Sequence, residues 1–578
     1  MSAHSTYDKL PTIPITYSTN ECSVGWPAVL ERLLASQPRV ICLECYPGVH
    51  ADQLERAITA AFPPVHVFRS ADVYKASSEI RQILAPSLTD DPVFGRMNGV
   101  QLADFLDPGK LARARDQISH ASGRILVIGT GAALLAPSAD ILVYADLARW
   151  EIQQRQRKNE IGNLGADNLH DQPSLKYKRA YFVDWRVADR LKKKLFPNID
   201  FLLDTHDPQE PKVVSGPTLR SALHAVTSRP FRVVPFFDPG PWGGEWMRRV
   251  CDLPTSAPNY AWCFDCVPEE NSLRLGFGAS SLEIPALDLV FLQPRRLLGD
   301  AVHARFGTEF PIRFDFLDTM EGGNLSLQVH PLTEYIQEQF GMNYTQDESY
   351  YILDAQEGAG VFLGLQEEVN SAEMLAALEC AQRGNCPFPA ERFVNCWPAK
   401  KHDHFLIPAG TIHCSGKNCM VLEISATPYI FTFKLWDWDR LGLDGRPRPI
   451  HLEHGRQNIQ WERDTAWVRQ NLLNRVKKIA EGDGWCEEFT GLHEREFIET
   501  RRHWFTGKVP HDTQGGVNVL NLVEGREVVV ESPDDSFAPF VVHYAETFIV
   551  PAAVGKYTIR PSSPGRCATI KAYVRTNP

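Results

Sequence analysis

The chain has 578 residues, 43% hydrophobic and 23% charged, with a formal net charge of −11. That length exceeds what one hydrophobic core ordinarily supports, so two to four domains are expected, and the composition is that of a globular chain rather than a disordered or fibrous one. The negative balance argues against nucleic acid or an anionic membrane as a partner, since both call for a basic field.

The first apolar strand, Arg39 to Cys45, ends at Tyr46-Pro47-Gly48 and runs into the helical pattern Ala51 to Ile58. Strand, tight turn and helix is how a phosphate-binding loop begins. The loop itself, Tyr46 to Ala51, lacks the lysine that reaches the outer phosphates and the Ser or Thr that holds Mg²⁺. Further along come Ser70 to Lys75 after a second strand, Asp91 to Gly95 after a helix, and the buried strands Arg124 to Gly129 and Ile141 to Asp146. The last of these continues into Leu147 to Arg157, an amphipathic helix with a basic end. Val183 to Pro197 reads as a basic helix and Phe201 to Asp204 as a final strand. A linker is expected between Ser215 and Pro230.

The order of these elements resembles the uridine kinase branch of the P-loop kinases, across about the first 220 residues. The resemblance implies that Asp72 and Tyr74 lie where the acceptor is contacted and that Arg149, Arg155 and Arg157 lie in a mobile lid. Without the lysine and hydroxyl, the groups that neutralise a transferred phosphoryl are missing. A degenerate kinase-like domain is therefore expected, with the arginine run reading as a solvated helix face.

After Arg232 to Phe237 the pattern changes to short strands punctuated by Gly and Pro, with helical spacing at Glu367 to Arg383 and Asp464 to Glu481. Within it, Gln328 and His330 are one residue apart in Leu325 to Pro331, so on a strand both side chains leave from one face. Glu348 opens the β-forming run Ser349 to Leu353, and His413 closes Ile407-Pro408-Ala409-Gly410-Thr411-Ile412-His413. A glutamine, two histidines and a glutamate form a coordination shell suited to Zn²⁺. His402, His404 and Cys414 are rival ligands nearby and read as ordinary core or surface residues.

Trp242-Gly243-Gly244, the Gln-x-His-Pro string, Glu348, the Pro-x-Gly-x-x-His turn, Val421 to Ile424 and Trp436 to Arg440 occur in the order of the type I phosphomannose isomerases. The segment resembles the catalytic domain of that zinc-dependent cupin family. The resemblance implies metal ligands Gln328, His330, Glu348 and His413, and interconversion of mannose 6-phosphate and fructose 6-phosphate, or a related sugar, through an enediol. Lys434 and Arg440 are then the candidate catalytic cations. Asp315, Gln346 and Lys434 stand where the family commonly has lysine, lysine and arginine. The aspartate is expected to repel a phosphate dianion, with Lys400, Lys401, Arg456 or Arg296 compensating from loops, or else with a sugar that lacks the phosphate or carries it elsewhere.

From Gly516 through Val550-Pro551-Ala552-Ala553 to Tyr557-Thr558-Ile559 a second cupin-like set follows, without a histidine at the ligand position. The expected architecture is thus an α/β P-loop-kinase-like domain with a parallel sheet over residues 1–225, an isomerase-like cupin with helical insertions over 226–500, and second-barrel strands over 501–578. The alternative function is a metal-retaining sugar-binding or regulatory protein in which catalysis has been lost. Thirteen scattered cysteines read as reduced thiols, and no apolar run of membrane-spanning or secretory length is seen. A cytoplasmic location, a small-molecule sugar or sugar phosphate as partner, and compatibility with a homo-oligomer complete the expectation.

Overall fold

The computed structural model describes residues 5–16, 21–63, 66–384, 386–426, 429, 431–491 and 496–576. Two compact units emerge: Thr12–Val226 with Glu269–Gln293, and Met1–Pro11 with Thr227–Pro268 and Pro294–Pro578.

In the first unit, Val40–Cys45 is buried along its whole length, as a near-continuous apolar strand covered on both faces should be. It lies between Ile125–Gly129 and Ile141–Asp146, with His66–Arg69 beyond the former and Phe201–Asp204 beyond the latter, all parallel. Val29 and Leu33 of helix Trp26–Leu34 and Leu54 and Ile58 of helix Ala51–Ala61 pack against Ile41 and Leu43 of that strand. Because the chain crosses from the central strand to both sides, the end of Val40–Cys45 is a topological switch point, where open α/β sheets usually bind ligands.

The turn at that point is closed by its own chain. Gly48 has φ +112°, and a Cβ there would meet Ile152 Cγ1 at 2.8 Å. Arg155 donates to the carbonyls of Gly48 at 3.0 Å and Thr205 at 2.8 Å. Arg149 pairs with Asp189 at 2.6 Å and with Glu269. Arg149 and Arg155 are each 2% exposed, so the solvated-face expectation fails for both and holds for Arg157, which is exposed. The reason is long-range: carboxylates and carbonyls from distant segments neutralise the guanidiniums, which the helix sequence by itself does not display.

The expected linker is also ordered structure. Lys212–Ser215 pairs antiparallel with Phe201–Asp204, and Gly216–Val226 is a helix that buries Leu219, Ala222, Leu223 and Val226. The chain then returns to this unit at Glu269–Gln293, where Ser272–Phe277 and Ser280–Pro285 form a three-stranded sheet with Thr12–Pro14.

The second unit holds two successive pairs of sheets. In the first pair, a six-stranded sheet runs His404–Ile407, Glu348–Ala355, Cys419–Ser425, Arg313–Asp318, Trp262–Cys266, Phe236–Asp238, and a five-stranded sheet runs Val394–Pro398, Gly360–Leu365, His413–Ser415, Leu327–Val329, Phe433–Trp436. Helix Ser371–Gln382 stands in the expected helical stretch, started by Asn370, whose side chain accepts from the Glu373 amide. In the second pair, Phe505, Leu520 and Val550 of a six-stranded sheet share one core with Val530, Val542 and Ile559 of a four-stranded one.

That second pair starts at Lys477–Gly482, earlier than the sequence pattern suggests. Helix forms only at Thr465–Asn471, after which Lys477–Gly482 pairs with Trp485–Gly491 around Gly484. Hairpin pairing there overrides the helical spacing read through Glu481. Among the cysteines, Cys380 and Cys386 are disulfide-bonded, against the expectation of reduced thiols throughout; the other eleven are free. No helix of the described residues is long and apolar enough to cross a membrane.

Candidate metal centre

Leu327–Val329 is a short strand whose Leu327 and Val329 are fully buried, leaving Gln328 and, one step beyond, His330 on the opposite face. Gln328 lies directly across from His413 on one neighbouring strand and from Lys434 on the other. The turn before His413 is held by Arg463, which donates to the carbonyls of Pro408 and Ala409 at 2.9 and 2.8 Å. Gly410 in that turn has φ +86°, and an added Cβ would meet Asn458 O at 2.9 Å and Gln460 Cγ at 2.7 Å, so a side chain is excluded. From the facing sheet, Glu348 opens Glu348–Ala355.

These residues converge. One ligand atom from each of His330, Glu348 and His413 lies within 4.8 Å of the others, and all three side chains are buried. His330 Nε2 is 3.0 Å from one Glu348 oxygen and His413 Nε2 is 3.0 Å from the other. Gln328 Nε2 is 3.2 Å from His413 Nε2.

The hydrogen bonds on the far side of each ring define what the near side offers. His330 Nδ1 is 2.6 Å from the Phe431 carbonyl and His413 Nδ1 is 2.9 Å from the Thr411 carbonyl. A carbonyl only accepts, so both Nδ1 atoms donate, and in the neutral rings both Nε2 atoms present lone pairs. Burial lowers the His413 pKa, favouring that neutral ring. Burial disfavours the Glu348 carboxylate, and only positive charge among the donors, protons on His330 and His413 or a metal ion in their place, holds its carboxyl below the usual range. Two lone pairs facing a carboxylate at 3.0 Å repel unless a cation lies among them, so the donor set fits a divalent metal. Gln346 Nε2 donates to Glu348 at 2.8 Å while its Oε1 accepts from the Phe431 amide at 2.9 Å, which orients the carboxylate.

Gln328 and Gln346, which adjoin the cluster, line a cavity of about 210 Å³ together with Arg313, Asp315, Glu423 and Lys434. Asp315 does not stand as a bare negative charge. Arg313 Nε and Nη2 each donate to it at 3.2 Å, which corrects the expectation that it repels phosphate outright. Asp315 is also the cross-strand partner of Glu423. Burial first, then the Asp315 and Glu348 charges, push the Glu423 carboxyl well above its usual range.

Of the two candidate cations, Lys434 lines the cavity and Arg440 does not. Asp437 draws Arg440 aside, accepting from its Nε and Nη2 at 3.1 and 2.8 Å. Arg448 lines the cavity instead, bonded to the same aspartate. The proposed loop compensators are engaged elsewhere or exposed: Lys401 pairs with Glu524, Arg456 with Glu453, Arg296 donates to Thr227 and Ser228, and Lys400 is exposed. His402 contacts Tyr351 and Glu524, and neither it nor His404 nor Cys414 joins the cluster. Sequence reasoning missed Arg313, Glu423 and Arg448. Arg313 carried a signal, sharing a strand face with Asp315, whereas Arg448 had none in its loop.

A buried His/Glu/His centre in paired antiparallel sheets, in a chain that also carries an α/β unit, is the class that fold and site define. Residues 25–228 match a family described as a domain of unknown function, DUF8485, so the kinase-like expectation there rests on motif order alone. Over 214 residues, 37% of this chain, the sequence is 29% identical to the mannose-6-phosphate isomerase of Streptococcus mutans serotype c. The chain spans 62% of that relative's length. The putative mannose-6-phosphate isomerase YvyI of Bacillus subtilis is 21% identical over 358 residues, 60% of this chain and the whole of the relative. The crystal structure of the B. subtilis mannose 6-phosphate isomerase superposes with a TM-score of 0.48 at 19% identity, covering 60% of this chain and 99% of that one. Homology to mannose-6-phosphate isomerases thus extends over about 60% of the chain.

Proposed function

We propose that the protein is a metal-dependent aldose–ketose isomerase acting on a small sugar in the cytoplasm, with Gln328, His330, Glu348 and His413 as ligands of a zinc ion. The observation that carries the reading is the convergence of His330, Glu348 and His413, their lone pairs turned inward beside a cavity. Sequence homology to mannose-6-phosphate isomerases supports the reaction class. The two sheet pairs are read as a double cupin, and the α/β unit as a degenerate P-loop-kinase-like domain without phosphoryl transfer.

In aldose–ketose interconversion a proton moves between C1 and C2 while negative charge develops on the sugar oxygens. A divalent ion at the centre supplies Lewis-acid polarisation of those oxygens. Lys434, opposite Gln328 on the neighbouring strand, brings an ammonium to the same end of the cavity, where it stabilises the developing oxyanion. Glu423 lines the cavity without belonging to the His/Glu/His cluster, and its buried carboxyl is placed to hold and return the migrating proton.

The test is elemental analysis of the purified chain together with isomerisation assays on a sugar panel, with added Zn²⁺ and with chelator. Chelator-sensitive turnover is the expected result. Silence across the panel from a metal-loaded protein would overturn the enzyme reading in favour of a sugar-binding role.

A further inference from the structure

We infer that the cavity takes an uncharged aldose or ketose rather than a sugar phosphate. The inference rests on the isomerase reading and adds the substrate class to it. A phosphate dianion is recognised by guanidinium forks or clustered N–H donors that are open to receive it. Two guanidiniums line this cavity, and a carboxylate of the chain itself already takes the Nε/Nη2 fork of each. Arg313 places Nε and Nη2 on Asp315, with both side chains buried. Arg448 places Nε and Nη2 on Asp437, each at 2.5 Å, and Nη2 also reaches Ser326 Oγ at 2.7 Å.

The remaining surface suits hydroxyl groups better than an anion. Asp315 and Glu423 meet in register on one wall, so a phosphate there would face carboxyl oxygens and would have to break the Arg313 pair to find a donor. Gln328 and Thr432 offer neutral donors and acceptors, and Leu317, Leu325 and the indoles of Trp242 and Trp262 make the rest of the lining largely apolar. At about 210 Å³ the space is below the roughly 300–1,000 Å³ of drug-sized pockets and is on the scale of a single monosaccharide. Lys434 sits at the metal end, beside Gln328, where charge develops during enolisation rather than where a distal phosphate would lie.

The full chain, loaded with Zn²⁺, should be assayed with free aldohexoses and aldopentoses, their ketoses and the corresponding terminal phosphates, with inorganic phosphate as a competitor. The expected result is a kcat/KM at least about tenfold higher for a free sugar than for its phosphate, and no competitive inhibition by phosphate at about 10 mM. Preference for the phosphorylated sugar, or competitive inhibition by phosphate, overturns this inference and leaves the isomerase reading standing. No turnover of any sugar overturns both. Asp315→Asn releases Arg313 and should shift selectivity towards the phosphate by about tenfold; a folded variant with unchanged selectivity counts against the proposal. If that variant does not fold, the comparison of free and phosphorylated sugars on the unaltered protein decides.

Discussion

Gln328 and His413 are direct partners across an antiparallel strand pair, with their Nε2 atoms 3.2 Å apart. That single register brings together two strings separated by 85 residues and aims both at Glu348 on the facing sheet. A slip of one residue in either strand would turn a ligand to the other face and dissolve the centre.

His413→Ala should abolish metal-dependent stabilisation. With free Zn²⁺ at 100 times its dissociation constant, the unaltered chain gains about 2.7 kcal/mol over its apo form. Thermal unfolding with and without chelator should therefore show a gap in the unaltered chain and none in the variant. A variant that keeps the gap would remove His413 from the ligand set.

Gln346→Ala should weaken metal binding without removing a ligand. Its amide orients Glu348 from behind, and loss of such outer partners typically costs about 10–100-fold in affinity. Competition against a chelator of known affinity measures this directly, and an unchanged affinity would deny Gln346 a positioning role.

Lys434→Ala should leave metal content intact and lower kcat/KM by about 10²–10³, the scale of one lost oxyanion-stabilising donor. Arg440→Ala should act mainly on the Asp437 network and leave the cavity lining in place. Release of metal by Lys434→Ala would show that its role is structural.

Glu44 predicts a pH dependence in the α/β unit. Burial pushes its carboxyl up to about 7, against the amides of Ala133 and Gly131, which pull it down. The folded state therefore holds this proton above the pH at which the unfolded chain, near 4.5, has lost it. Between those values the folded form binds more protons, so stability falls as pH rises through the window and the loss is complete above it. Glu44→Gln removes the titration, so its urea midpoint should be flat across the window, although its Nε2 turns a donor towards one of the two amides that Glu44 accepts from. Parallel pH profiles for the two would place the titration elsewhere.

Mg-ATP at about 1 mM should neither shift the thermal midpoint nor give binding heat. The Ile152 side chain and the Arg155 guanidinium already occupy the approach to the Gly48 turn, where phosphates would need backbone amides and a lysine. A clear binding isotherm would restore nucleotide recognition to that unit.

Much of the centre was legible because its information is local. Gln328 and His330 share a face through the two-residue period of a strand, Gly410 marks a turn, and Glu348 opens a β-forming run, all within windows of a few residues. The strands of the parallel sheet were equally legible, since burial on both faces demands unbroken apolar runs. Lys477–Gly482 was not, because its spacing suits a helix and only pairing with Trp485–Gly491 makes it a strand. Nor was the return of Glu269–Gln293 to the first unit, which no local composition marks.

The order of residues along the chain therefore determined which side chains could bind a cation and that they would face one way on their strands. Only the tertiary structure decided which charges remain available to a ligand: Arg440 turned aside to Asp437, Arg448 brought to the cavity, and Arg313 paired with Asp315. The physical reason is one of range. Strand periodicity and turn geometry depend on near neighbours, whereas the partner of a buried charge is supplied by whichever distant segment the fold carries to within hydrogen-bonding reach.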